Sequence, residues 1–133
     1  FKNNETRIRL EFGPGQRDEP APGMAMVAES VINGSGSKTL TDSQMEEVLA
    51  GSSVDYTFSV DTSRFSLSGT SLSSEVELLA QTLHTVLLDP GMREPVYENT
   101  MVRYKQMYAA MESDINGVEA LYVQPFYAGG NHL

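Results

Sequence analysis

Residues 54–69 read Val54-Asp55-Tyr56-Thr57-Phe58-Ser59-Val60-Asp61-Thr62-Ser63-Arg64-Phe65-Ser66-Leu67-Ser68-Gly69. Val54, Tyr56, Phe58 and Val60 alternate with Asp55, Thr57 and Ser59. A period of two places all the apolar side chains on one face of a strand. Asp61-Thr62-Ser63 supplies turn residues, and Phe65, Leu67 and Gly69 resume the alternation. The stretch predicts a β-hairpin over 53–70 with one buried face, which every other element must be arranged to cover.

On the amino-terminal side, Thr41-Asp42-Ser43-Gln44 has the form of a capping box, in which the Thr hydroxyl accepts from the third amide and the Gln reaches back. It opens a helix over 42–50, with Met45, Val48 and Leu49 as its apolar stripe and Gly51 as its stop. Further back, the apolar run after Gly23 predicts a helix over 23–32, closed by Asn33-Gly34. Gly34-Ser35-Gly36-Ser37 then reads as a flexible connector. It superficially suggests a phosphate loop but lacks the G-x-x-x-x-G-K-[ST] frame and follows no strand. The charged, Pro-rich residues 16–22 read as a loop. Arg7-Ile8-Arg9-Leu10-Glu11-Phe12 alternates, predicting a strand over 6–12 that ends at Gly13-Pro14-Gly15.

On the other side, Ser74-x-x-Glu77 suggests a second capping box. Val76, Leu79, Ala80, Leu83, Val86 and Leu87 follow helical spacing, predicting a helix over 74–89 that ends at Pro90-Gly91. Pro95 suits the first turn of a long helix over 95–113, whose stripe is Tyr97, Met101, Tyr104, Tyr108 and Met111. Asn116-Gly117 is expected to interrupt it. A last helix is expected over 118–127, ending at Gly129-Gly130. The order predicts an α+β class, an antiparallel sheet with helices packed on one face. The 133 residues suit one domain. The chain begins with Phe1, so it is expected to be a fragment of a longer polypeptide, with further strands beyond Leu133.

Composition narrows the function. The formal net charge is −9 with scattered Lys and Arg, so no basic stripe exists for nucleic acid. No apolar run is long enough to span a membrane. There is no Cys, which excludes disulfides and thiolate metal sites and leaves the compartment unknown, with bacterial periplasm and cytoplasm both open. His84 and His132 are too far apart to make a metal site by spacing. Ser43 and Ser74 are explained as caps rather than nucleophiles.

One helix carries a degenerate catalytic pattern. Inverted zinc peptidases carry H-x-x-E-H on a helix. In the helix over 23–32, Met26, Glu29 and Ser30 occupy those positions, so the glutamate is present and both histidines are missing. The plainer reading of Glu29 is a polar residue on one face of a helix, since a catalytic base needs its metal-bound water within reach.

Several local signals resemble the pitrilysin/insulinase family of metallopeptidases, which includes the mitochondrial processing peptidases. They are the Gly-x-Ala-x-x-x-Glu helix at 23–29, the Gly-rich turn after it and the helix from Thr41 to Gly51. The hairpin at 53–70, Leu87-Leu88-Asp89-Pro90 and the helix near Tyr97 follow in order. The resemblance covers roughly residues 6–128, and order and spacing carry it rather than any single motif. It implies a parent built from several copies of one fold, some with zinc and some without. The third zinc ligand of active copies, a glutamate on the later long helix, would fall near Lys105, Gln106 and Met107, none of them a carboxylate. Ser35-Gly36 and Ala50-Gly51 resemble the domains of carboxyl-terminal halves. The resemblance therefore implies an inactive domain that holds no cofactor itself and encloses a peptide or protein substrate, with zinc held by a catalytic half or subunit. Shape, pairing along a sheet edge and an acidic wall would serve that role. Alternatives are a purely structural scaffold domain of the same family and a misaligned active hydrolase. The Tyr97–Met111 stripe is also expected to be sticky in isolation and to favour a homodimer.

Overall fold

A computed structural model describes residues 4–127 and residue 129. The expectations for Gly130, His132 and anything beyond Leu133 lie outside the described residues. The sheet has three antiparallel strands, β1 (Glu5–Phe12), β2 (Asp55–Val60) and β3 (Phe65–Leu72), in the order β1-β3-β2. Four longer helices accompany it: α1 (Met24–Ser35), α2 (Asp42–Leu49), α3 (Val76–Leu88) and α4 (Glu94–Glu112). Two short helices follow, α5 (Ile115–Val118) and α6 (Gln124–Tyr127), joined by a π-helical turn at Glu119–Val123.

The hairpin turns over Asp61–Arg64, where the Asp61 amide donates to the Arg64 carbonyl at 2.8 Å. Val60 pairs with Phe65 and Phe58 with Leu67, so the apolar set lies on one face. On the opposite face Ser59 and Ser66 bond each other at 2.8 Å. The strand at 5–12 joins the free side of β3, pairing Leu10 with Leu67 and Ile8 with Gly69. The core is Met45, Val54, Phe58, Leu67, Leu79, Leu83 and Val86. Full burial of a Leu or Val side chain stabilises by about 1.5–3 kcal/mol, so Leu67, Leu79, Leu83 and Val86 fasten α3 to the sheet. Gly69 makes that approach possible, because a Cβ there would lie 2.6 Å from Leu79 Cδ1. The α+β class with helices on one sheet face is the architecture observed.

Four local expectations change. First, α1 does not stop at Asn33-Gly34: it runs to Ser35, and the supposed flexible connector is packed, with Ser35 and Ser37 wholly buried. The reason is Arg93. Its amide donates to Ser35 Oγ at 3.0 Å, and its guanidinium donates to the Ser35 and Ser37 carbonyls at 3.1 and 2.9 Å. A cation on helix-terminal carbonyls satisfies acceptors that the helix leaves open. Second, no capping box forms at Ser74. Residues Ser73–Glu75 make a 3-10 turn before α3, because Glu75 is held by the Ser53 amide and hydroxyl instead. Third, Asn116-Gly117 does not break the chain. The break is at Ser113-Asp114, and Asp114 caps α5 by accepting from the Asn116 and Gly117 amides at 3.1 and 3.2 Å. Helical structure thus resumes at Ile115 rather than at 118. Fourth, α4 does not pack through its Tyr/Met stripe alone. Thr100 is its buried residue, and Val96 and Tyr104, one turn either side, also meet α1. The Thr41–Gln44 box forms in full.

Candidate functional site

The site is α1 and the outer edge of β2. No capping residue in the local sequence serves the amino end of α1 at Gly23. Glu19 fills that place, its two carboxylate oxygens accepting from the Gly23 and Ala25 amides at 3.1 and 3.0 Å. An acid at a helix amino terminus satisfies open donors and complements the dipole.

Further along α1, the degenerate positions are all engaged. The Tyr104 hydroxyl donates to the Met26 carbonyl at 3.2 Å and shares a hydrogen bond with Ser30 Oγ at 2.8 Å. Glu29 Oε2 accepts from the Val60 amide at 2.8 Å. Gln106 is exposed. It sits two residues past Tyr104, about 200° around a helix of 3.6 residues per turn, and so faces away from α1. His84 is exposed on α3. Zinc, which the family resemblance implies for active copies, does not fit here. The donors at 26, 30 and 106 are a thioether, a hydroxyl and an amide, and imidazole or carboxylate ligands are needed. Among the described residues no group of three or more His, Asp or Glu side chains is placed to hold a metal.

Asn33, a helix stop by its local pattern, does something else in the fold. Its carboxamide donates to the Phe58 carbonyl at 2.7 Å and accepts from the Phe58 amide at 2.8 Å. This reproduces what a residue of a neighbouring strand would offer. With Glu29 on Val60, α1 therefore seals the outer edge of β2 at residues 58 and 60. Outward-facing residues alternate along an edge strand, so the amide and carbonyl of Tyr56 point the same way as those of Phe58. No α1 side chain reaches them.

A cleft of about 460 Å³ opens there, between α2 and β2. Asp42, Glu46 and Asp55 line it together with Tyr56, and Asn33 stands at its end. Ion pairs among the described residues go to Glu5, Glu11, Asp61 and Asp89, and none to these three acids. Burial, followed by the charges of Asp42, Glu46 and Asp55, raises the Tyr56 phenol above its ordinary 10.0. A second groove of about 420 Å³ lies between α1 and α4, lined by Met24, Met26, Tyr97, Met101, Tyr104 and Tyr108. The apolar alternation and the Tyr/Met stripe announced both walls. Nothing in the local pattern of Asn33, Tyr104, Glu19 or Arg93 announced the partners that the fold brings to them.

No protein-family model matches the chain, and no curated protein matches it in sequence. Solved structures do match its fold. A mutant of the ferredoxin protease FusC in complex with Arabidopsis ferredoxin aligns with a TM-score of 0.78 and 17% identity, over 92% of this chain and 14% of that one. A protease from Helicobacter pylori aligns with a TM-score of 0.68 and 12% identity, over 88% of this chain and 29% of that one. The fold is thus one found as a part of bacterial proteases, and the chain spans less than a third of either matched protease.

Proposed function

We propose that this chain is a non-catalytic domain of a pitrilysin-type zinc metallopeptidase, enclosing and binding a peptide while another domain supplies the zinc. The observation that carries the reading is the use of α1. On a protease-like fold, its residues at 26, 29 and 30 hold α4 and β2 in place instead of presenting ligands. Glu29 is committed to a backbone amide, and neither Met26 nor Ser30 beside it is an imidazole that could hold a metal and the water such a glutamate would activate.

The domain acts as a wall. An extended peptide lies along the open part of the β2 edge, and the acidic cleft borders it. The ferredoxin in the complex of one matched protease supports a protein or peptide as the occupant. Pairing at the single position Tyr56 contributes little, since each hydrogen bond is worth about 0.5–1.5 kcal/mol net. The parent enzyme therefore holds its substrate through several domains at once. In the isolated chain the Tyr/Met groove is an exposed apolar surface that favours self-association.

Elemental analysis of the purified, tag-free chain tests the reading. We expect zinc far below one atom per chain and no hydrolysis of unstructured peptides. Close to one zinc per chain, together with peptide cleavage, would overturn it.

A further inference from the structure

The sheet has two edges, and α1 seals only one of them. β1 is the last strand on the other side, and among the described residues no further strand, turn or loop bonds to its outer backbone. Asn33 fixes which groups face out there. It holds the Phe58 amide and carbonyl from outside the sheet. In an antiparallel ladder Leu67, the partner of Phe58, then turns its own groups toward β1 and bonds Leu10. The amides and carbonyls of Arg7, Arg9 and Glu11 therefore point outward, away from β3.

The stretch Ile8-Arg9-Leu10-Glu11-Phe12 complements itself read backwards. Antiparallel pairing of two copies about Leu10 sets Leu10 against Leu10, Ile8 against the partner's Phe12, and Arg9 against the partner's Glu11. Opposite charges across a ladder stabilise it and like charges destabilise it. Centred on Ile8, Arg7 would meet the partner's Arg9; centred on Arg7 or Arg9, that arginine would meet its own copy. Centred on Thr6, Leu10 and Phe12 would fall beyond the end of the partner's β1. Those two side chains share the core face of the sheet with Leu67 and Phe65, yet they are 37% and 40% exposed. The Leu10 register covers them. On the polar face Arg9 and Glu11 of one copy already touch at 3.0 Å, and with the partner's pair they close a ring of alternating charge.

We propose that two copies of this chain join through β1, in an antiparallel pair centred on Leu10 that merges two three-stranded sheets into one. The contact uses the same patch on both copies, and each Arg9 exchanges backbone bonds with the partner's Glu11. The inference does not rest on the peptidase reading, and its surface is distinct from the Tyr/Met groove.

The test is sedimentation equilibrium of the full chain at low salt, with urea midpoints to check that each variant folds. We expect a monomer–dimer equilibrium. Arg9→Glu and Glu11→Arg each turn both cross-strand charge pairs into like charges, and each should weaken the dimer roughly tenfold. Mixed in equal amounts, the two variants should recover the wild-type affinity, because each then meets the opposite charge on the other. Arg9→Pro deletes an outward amide without touching the bonds to β3, a change that an edge strand tolerates, and should also weaken the dimer. A monomer at every concentration would overturn the inference and leave the edge to another occupant, such as a strand of a longer chain. A dimer that all three variants leave intact would overturn it too, and would place self-association in the Tyr/Met groove. Charge variants that weaken the dimer but do not recover on mixing would overturn the Leu10 register.

Discussion

The two halves of β2's outer edge differ in one respect, and the difference tells what α1 is for. At Phe58 the amide and carbonyl are satisfied by Asn33, and at Val60 the amide is satisfied by Glu29. At Tyr56, two residues away, they face an acidic cleft. An open edge strand is a template for any other chain. Closing most of it with side chains of a helix restricts pairing to one short place, and the glutamate of the degenerate pattern is the one spent on Val60.

Breaking the sealed half should have the largest effect. Asn33→Ala strands the amide and the carbonyl of Phe58, each part-buried. At about 1–3 kcal/mol for each of the two unsatisfied groups, the loss should be about 2–6 kcal/mol, read as a lower midpoint in urea denaturation with an unchanged slope. An unchanged midpoint would show that water replaces the carboxamide and that the edge is not sealed.

Loosening the far side of α1 should cost less. Tyr104→Phe removes the hydroxyl that bridges Met26 and Ser30 and keeps the ring. A loss of about 1 kcal/mol follows from the net value of such a bond. Ser30→Ala should cost a similar amount, and the double variant should cost less than the two single losses added together, because they share a bond. Strict additivity would sink the bridging role.

The smallest effect lies at the start of the open half. Glu75 accepts from the Ser53 hydroxyl and amide, and these bonds hold its carboxyl below the ordinary 4.5. A lowered folded value means that the stabilisation is full above the unfolded pKa and is lost as pH falls through the folded one. In an NMR titration the Glu75 carboxyl should therefore titrate below pH 4.5 in the native chain. Ser53→Ala, which keeps the amide donor, should move it only partway back. Full return to the ordinary value would mean that the hydroxyl alone acts.

Much of the fold is legible in the amino-acid sequence alone. The hairpin, the alternation of β1 and the Thr41 cap follow from periodicity and from residues within a few positions of each other. The departures share one cause. Gly34-Ser35-Gly36-Ser37 is flexible by composition, and Arg93 overrules composition from 56 to 58 residues away. Ser74-x-x-Glu77 is a sound capping box by pattern, but Ser53 claims the adjacent acid Glu75 from 22 residues back. At the candidate site, the missing imidazoles at Met26 and Ser30 are plain from the residues themselves, whereas the roles taken up in their place are not. The acidic cleft is equally hidden, since Asp55 joins Asp42 and Glu46 only after β2 comes up beside α2.

By itself the sequence determined which elements form, in what order, and which chemistry they lack. Strand and helix periods are local properties of the chain, and a side chain at position 26 or 30 cannot become an imidazole by folding. Only the tertiary structure decided that β3 takes the centre of the sheet, that Asn33 acts as a strand neighbour, that Tyr104 ties α4 to α1, and that one stretch of edge stays open. Those choices depend on which distant surfaces pack together, and on the need to satisfy every buried backbone group, neither of which a local pattern encodes.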